Sequence, residues 1–179
     1  MLRLTLQALA GIAVSLALVS NASAQMKTGS DSGLPLPRFV SVKAKTANLR
    51  VGPGRDYRVD WVLMRPGLPV EIIAEFDNWR RVRDAEGTVG WLFGALLSGR
   101  RTATVTPWHQ GGDAAPLTLR RRPGPDAPAV ALLEPGVIGS VAECDGEWCR
   151  FQPSAERSRA GWLRQVDLWG VYPGEVIED

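Results

Sequence analysis

Side chains able to do covalent chemistry are scarce in this sequence. Its 179 residues include one histidine, His109, and two cysteines, Cys144 and Cys149. A Ser-His-Asp or Cys-His centre needs an imidazole held beside its nucleophile. His109 lies in a Gly-containing stretch, 106–112, and reads as a solvated loop residue. Two cysteines and one histidine fall short of a zinc site, which takes four protein ligands or three plus water, so neither metal nor cofactor is expected. Gly52-Pro53-Gly54 lacks the third glycine and the following helix of a phosphate cradle, and reads as a turn. Carboxylate pairs are open in principle, since there are 19 acidic residues, but no two of them stand out. The expectation is a protein that binds rather than an enzyme.

The aromatic residues carry the stronger signal. Val82 and Phe151 fit core positions on two strands, and period-two alternation puts Trp79 and Trp148, three residues earlier, on the opposite face. Both indoles are then expected outside, near a hairpin tip, where they suit stacking on a sugar or packing on a peptide. Tyr57 and Trp61 follow Gly54 in a long loop, near Arg50, Arg55 and Arg58. The arginines read equally well as a solvated face. Arg50, Arg55, Tyr57, Trp61, Trp79 and Trp148 are the candidate ligand-binding residues. Trp91 and Trp162, each after a glycine, read as core or barrel-rim packing.

Short strands must position these residues. Val40 and Val42 alternate with polar residues, Val70 to Phe76 is strand-like, and Trp79 to Arg83 alternates as a half-buried strand does. Gly52-Pro53-Gly54, Pro66-Gly67, Asp77-Asn78 and Glu86-Gly87 supply the turns between them. No window has a helical period, so the chain is expected to be all-β. Ahead of the strands, Arg3 precedes an apolar run from Leu4 to Val19 that ends in Ala22-Ser23-Ala24. That is the layout of a signal peptide spanning 1–24, cleaved after Ala24, and no stable membrane span is expected. Residues 25–38 are rich in Gly, Ser and Pro and read as a flexible leader.

An internal repeat organises the remainder. Leu49-Arg50-Val51-Gly52-Pro53-Gly54 returns as Leu119-Arg120-Arg121-Arg122-Pro123-Gly124, Pro66-Gly67 as Pro135-Gly136, and Trp79 as Trp148, at offsets of 69–70 residues. Gly90-Trp91-Leu92 returns as Gly161-Trp162-Leu163, 71 residues on. Two β domains follow, at 39–106 and 113–179 (the second with a C-terminal tail), joined by a linker at 107–112.

The cysteines flank Asp145-Gly146-Glu147-Trp148. A four-residue hairpin loop would set them directly opposite each other, within reach of a disulfide, whereas a two-residue loop would make the pair diagonal and strained. Export to an oxidising compartment favours the bond. Subtracting the local offset of 69 lands on Glu75 and Arg80, expected as an exposed cross-strand ion pair.

The order L-R-x-G-P-G, hydrophobic strand, P-G, strand, W-x-x-V/F, G-W-L resembles bacterial SH3 (SH3b) domains. Residues 68–101, 144–151 and 168–175 resemble exported Gram-negative proteins with two SH3-like repeats. The likeness departs at the start of repeat 2, where the usual first strand is shortened or displaced by residues 108–115. The resemblance implies two tandem, small, partly open β-barrels, no catalysis and a periplasmic location. It implies binding of peptidoglycan or cell-wall peptide, with a periplasmic protein-protein adaptor or assembly factor as the alternative.

Charge adds a modest constraint. Formal net charge is only +2, which gives a nucleic-acid partner no support. Residues 39–105 hold 11 basic and 7 acidic side chains, net +4, while residues 113–179 hold 7 and 11, net −4. The basic half favours anionic wall material, and opposite halves of one chain can also dock on each other.

Overall fold

The structure, a computed structural model, describes residues 27–106, 115–155 and 159–178. The segment 1–24, expected as a signal peptide, His109 and the stretch 107–112 lie outside the described residues. Within them the chain is strand, turn and two short 3-10 turns. A hairpin of β1 (Lys27–Thr28) and β2 (Pro35–Leu36) comes first. Then follow β3 (Arg38–Val42), β4 (Ala47–Arg50), β5 (Val59–Leu63), β6 (Pro69–Phe76), β7 (Trp79–Arg83), β8 (Val89–Phe93) and β9 (Leu97–Ser98), in the sheet order β5-β4-β8-β7-β6-β3-β9.

The second barrel contains β10 (Thr102–Val105), β11 (Leu117–Arg120), β12 (Ala129–Leu133), β13 (Ile138–Asp145), β14 (Trp148–Pro153), β15 (Gly161–Arg164) and β16 (Leu168–Trp169). Its order, β12-β11-β15-β14-β13-β10-β16, copies the first, and β17 (Val176–Ile177) adds on to β13. Every pairing is antiparallel, so tight turns suffice as connections. Each barrel closes over its own core. Val42, Leu49, Val70, Ile72, Val82 and Leu92 fill the first, and Val105, Leu119, Val141, Phe151 and Leu163 the second.

The domain boundary expected at 106 moves to the short stretch 99–101. Thr102–Val105 pairs with β13 and β16 and is the first strand of the second barrel, equivalent to β3. The turn glycines Gly67 and Gly136 donate to Val42 O (2.7 Å) and Val105 O (2.8 Å) in the same way. Repeat 2 therefore has its first strand, seven residues earlier than the repeat offset places it. Four residues, 43–46, join β3 to β4, whereas eleven, 106–116, join β10 to β11. The connection between β10 and β11 thus joins two strands of the second barrel rather than the two barrels. Offsets taken from landmarks downstream of that connection could not register the shift.

The leader is a further correction. Residues 27–36 form a hairpin that closes over the buried carboxylate of Glu75. The Asp31 and Ser32 amides donate to Glu75 Oε2 at 3.1 and 2.9 Å, and Ser32 Oγ donates to Oε1 at 2.6 Å. Leu36 is buried with the first core. Composition alone reads Gly, Ser and Pro as flexibility; one buried acceptor facing several backbone amides is enough to order them.

The barrels meet through side chains. Phe39 of β3 packs edge-on against Trp169 (5.1 Å between centroids) and tilted against Tyr172 (4.7 Å). The Tyr172 hydroxyl donates to Glu71 Oε1 at 3.0 Å, and Arg83 holds the other oxygen of that buried carboxylate. Burial, followed by the neighbouring Glu71 charge, pushes the Tyr172 phenol well above its ordinary value. Arg101, just before β10, forks onto Glu175 with two 2.8 Å hydrogen bonds. Burial of Glu175 opposes its charge, but the Arg101 hydrogen bonds outweigh it and hold the carboxyl below its ordinary range.

Candidate functional site: two equivalent grooves

A groove in one barrel has its counterpart in the other at positions related by the repeat. The first, of about 440 Å³, is lined by Thr46, Asn48, Arg50, Arg55, Trp79 and Phe93. The second, of about 310 Å³, is lined at matching positions by Pro116, Thr118, Arg120, Pro125, Trp148 and Arg164. Both are built the same way. The arginine ending β4 or β11 reaches along its own loop: Arg50 Nη1 donates to Tyr57 O at 2.6 Å, and Arg120 Nη1 to Ala127 O at 2.7 Å. The tryptophan opening β7 or β14 sits beside a turn whose second residue accepts from the first residue of the 3-10 turn after the next strand, Gly94 N to Asn78 O at 2.7 Å and Gln165 N to Glu147 O at 2.8 Å.

Their chemistry differs. In the first groove Trp79 packs edge-on against Phe93 at 5.5 Å, and the Arg55 guanidinium lies 6.0 Å from the same Phe93 ring. The result is a ladder of cation, ring and ring. Neither Arg50 nor Arg55 has an ion pair among the described residues, whereas Arg58 is held by Asp60 at 2.8 Å. In the second groove proline replaces Arg55 and arginine replaces Phe93, and Asp167 joins the lining. That groove is smaller and of mixed charge.

Of the six residues predicted to bind, Arg50, Arg55 and Trp79 line the first groove and Trp148 the second. Trp148 is nevertheless 7% exposed and belongs to the core, where an exposed indole was expected. Alternation places it opposite Phe151 correctly, but a strand pattern does not reveal what covers that opposite face. Tyr57 is 50% exposed and lies over the backbone of Gly52, whose Cβ would sit 2.3 Å from its ring. It orders the turn beside the groove and does not line it. Trp61 is on β5 rather than in a loop, 59% exposed, and faces a cleft between the barrels. Phe93, Thr46 and Asn48 were missed. The sequence signal for Phe93 was its place two residues after Trp91, on the same strand face.

The hairpins behind the grooves are stapled at the same position. Cys144 and Cys149 are paired in register and disulfide-bonded, with Cα atoms 4.1 Å apart. Gly146 and Glu147 alone form the loop, and the cysteines still face each other. Antiparallel register keeps residues equidistant from a tight turn opposite, so the diagonal arrangement does not arise. In the first barrel Glu75 pairs with Arg80, whose Nε is 3.4 Å from Glu75 Oε1, with Arg38 closer at 2.7 Å. This pair is not exposed: the Glu75 side chain is fully covered. Burial works against its charge, but hydrogen bonds from Ser32 and Arg38 prevail and lower the carboxyl to about 2.

Among the described residues no cluster of His, Cys, Asp and Glu is arranged to hold a metal ion, and no helix is long and apolar enough to cross a membrane. The fold and the grooves define a class, two small antiparallel β-barrels in tandem with a matching pair of grooves. The bacterial SH3 domain family matches residues 43–99 and 113–170, and the chain belongs to that family. No curated protein sequence matches it. Among solved structures, NlpC2 from Trichomonas vaginalis is 14% identical, with 74% of this chain and 48% of that one covered, at a TM-score of 0.32. NlpC1 from Trichomonas vaginalis is 15% identical, with 79% and 48% covered, at a TM-score of 0.33. The chain spans about half the length of these two structures.

Proposed function

We propose that this protein is a non-catalytic, exported binding module of the periplasm that holds cell-wall peptide, with the first groove as its main site. One observation carries the reading. Two guanidiniums without an acidic partner among the described residues, Arg50 and Arg55, flank the Trp79–Phe93 ladder in an open groove. A short peptide bearing carboxylates and small apolar side chains complements that pattern, its carboxylates meeting arginine and its apolar groups the rings. The second groove, with Trp148 buried and Asp167 on its rim, is the weaker copy.

Retention on purified sacculi tests the reading. Binding should survive protease treatment of the sacculi and disappear after muramidase digestion. Trp79→Ala or Arg55→Ala should weaken retention about thirtyfold, since an aromatic or arginine anchor contributes about 2 kcal/mol. Loss of binding on protease treatment would point instead to a protein partner, and the adaptor role.

A further inference from the structure

A third cavity, of about 310 Å³, lies between the barrels and has no counterpart under the repeat. Its floor is apolar, from Leu63 and Leu68, and the exposed indole of Trp61 forms one wall. Where repeat 1 has Trp61, opposite Leu49 on the neighbouring strand, repeat 2 has Ala131, opposite Leu119. The second barrel contributes Thr104 and Gly136 to the far side. Arg65 bridges the two, donating to Gly136 O at 3.4 Å.

Three features point to the kind of ligand. The rim carries both signs, two carboxylates (Asp84 and Glu86) beside one guanidinium (Arg65), so an anion is disfavoured. Asp84 Oδ1 is engaged by the Glu86 and Thr88 amides at 3.0 and 2.8 Å, which fixes the acidic turn in place, while Glu86 is exposed. Thr104 is 7% exposed, and its Oγ1 has no hydrogen-bond partner. That oxygen is itself covered, so Thr104 shapes the wall and the polar contacts come from the rim. A flat aromatic platform with carboxylate and guanidinium groups on its rim to engage hydroxyls suits a ring with one apolar face and polar edges.

We propose that this interdomain cleft is a second binding site, for a neutral pyranose ring of a glycan stacked on Trp61 and hydrogen-bonded to Glu86. The choice of glycan rests on the wall-binding reading; the site itself rests on the cleft. It would add a sugar contact to the peptide contact of the first groove, on a face set by the docking of both barrels.

Calorimetric titration of the intact protein with the β-1,4-linked tetramer of N-acetylglucosamine tests it. Saturable one-to-one binding is expected. Trp61→Ala should weaken it by about tenfold or more. Glu86→Ala should weaken it several-fold, and Arg122→Ala, at an exposed position outside all three cavities, should leave it unchanged. Trp61 and Glu86 are exposed, so unchanged melting of these variants confirms their fold. No binding by the parent protein, or parental affinity in Trp61→Ala, would overturn the proposal. Retention on sacculi without binding of the tetramer defeats the cleft alone. Tetramer binding without retention on sacculi supports the cleft and defeats the wall reading.

Discussion

The β6–β7 and β13–β14 hairpins hold equivalent places in the two barrels, yet they reached stability by different routes. In the second barrel a disulfide between Cys144 and Cys149 closes the hairpin, and Trp148 beside it is buried. In the first barrel Glu75 and Arg80 stand at the same positions, and Glu75 also gathers Arg38 and the amides of the N-terminal hairpin. A covalent bond satisfies only its two partners. A carboxylate has several lone-pair sites, so one side chain can close the hairpin and anchor another segment as well. The non-covalent staple is thus the more connected of the two, and it accompanies a half-buried Trp79 at the groove while the covalent one accompanies a buried copy.

The largest expected effect separates the tryptophans. Trp148→Ala should cost about 3–5 kcal/mol of second-barrel stability, the range for truncating a buried aromatic. Trp79→Ala should cost far less stability and show its effect in binding. Denaturant unfolding of both variants checks this, and equal losses would erase the distinction between a core copy and a ligand-facing copy.

Next in size is the Glu75 network. A carboxyl lowered from 4.5 to about 2 adds stability at pH values above its unfolded range and loses it as pH falls from about 4.5 toward 2. The amount at neutral pH is roughly 2–3 kcal/mol. Glu75→Gln should therefore destabilise the first barrel at pH 7 and flatten its acid response in that window. Hydrogen exchange of residues 27–36 should rise in the variant at pH 7. An unchanged acid profile in Glu75→Gln would mean that other carboxyls govern acid unfolding.

Reduction of the disulfide ranks third. Closing so short a loop is worth roughly 2 kcal/mol in the chain-entropy account. Reduction should lower the melting temperature of the second barrel and leave the first nearly unchanged. Two free thiols per chain, found by titrating unreduced protein, would remove this staple from the comparison.

The strand positions, the repeat, the cross-strand pairing of 75 with 80 and of 144 with 149, and the aromatic-arginine character of the groove were all legible in the residues. Each depends on local periodicity or on antiparallel register, which are properties of short segments. The first strand of the second barrel was misassigned to the first because Thr102–Val105 reads as a strand in either place. Which sheet a strand joins is decided by partners distant in sequence, here β13 and β16.

The same division runs through the functional residues. Sequence by itself determined that the chain is all-β, repeated, poor in catalytic groups and furnished with paired tryptophans, because composition and spacing carry that information directly. Tertiary structure alone decided that Trp148 is covered while Trp79 is half-buried, that Glu75 is buried beneath a hairpin more than forty residues away in sequence, and that Trp61 faces a cleft between the barrels. Burial is a relation between segments: alternation assigns a side chain to a face, and only the packing of other segments decides whether that face meets solvent, a ligand or the rest of the protein.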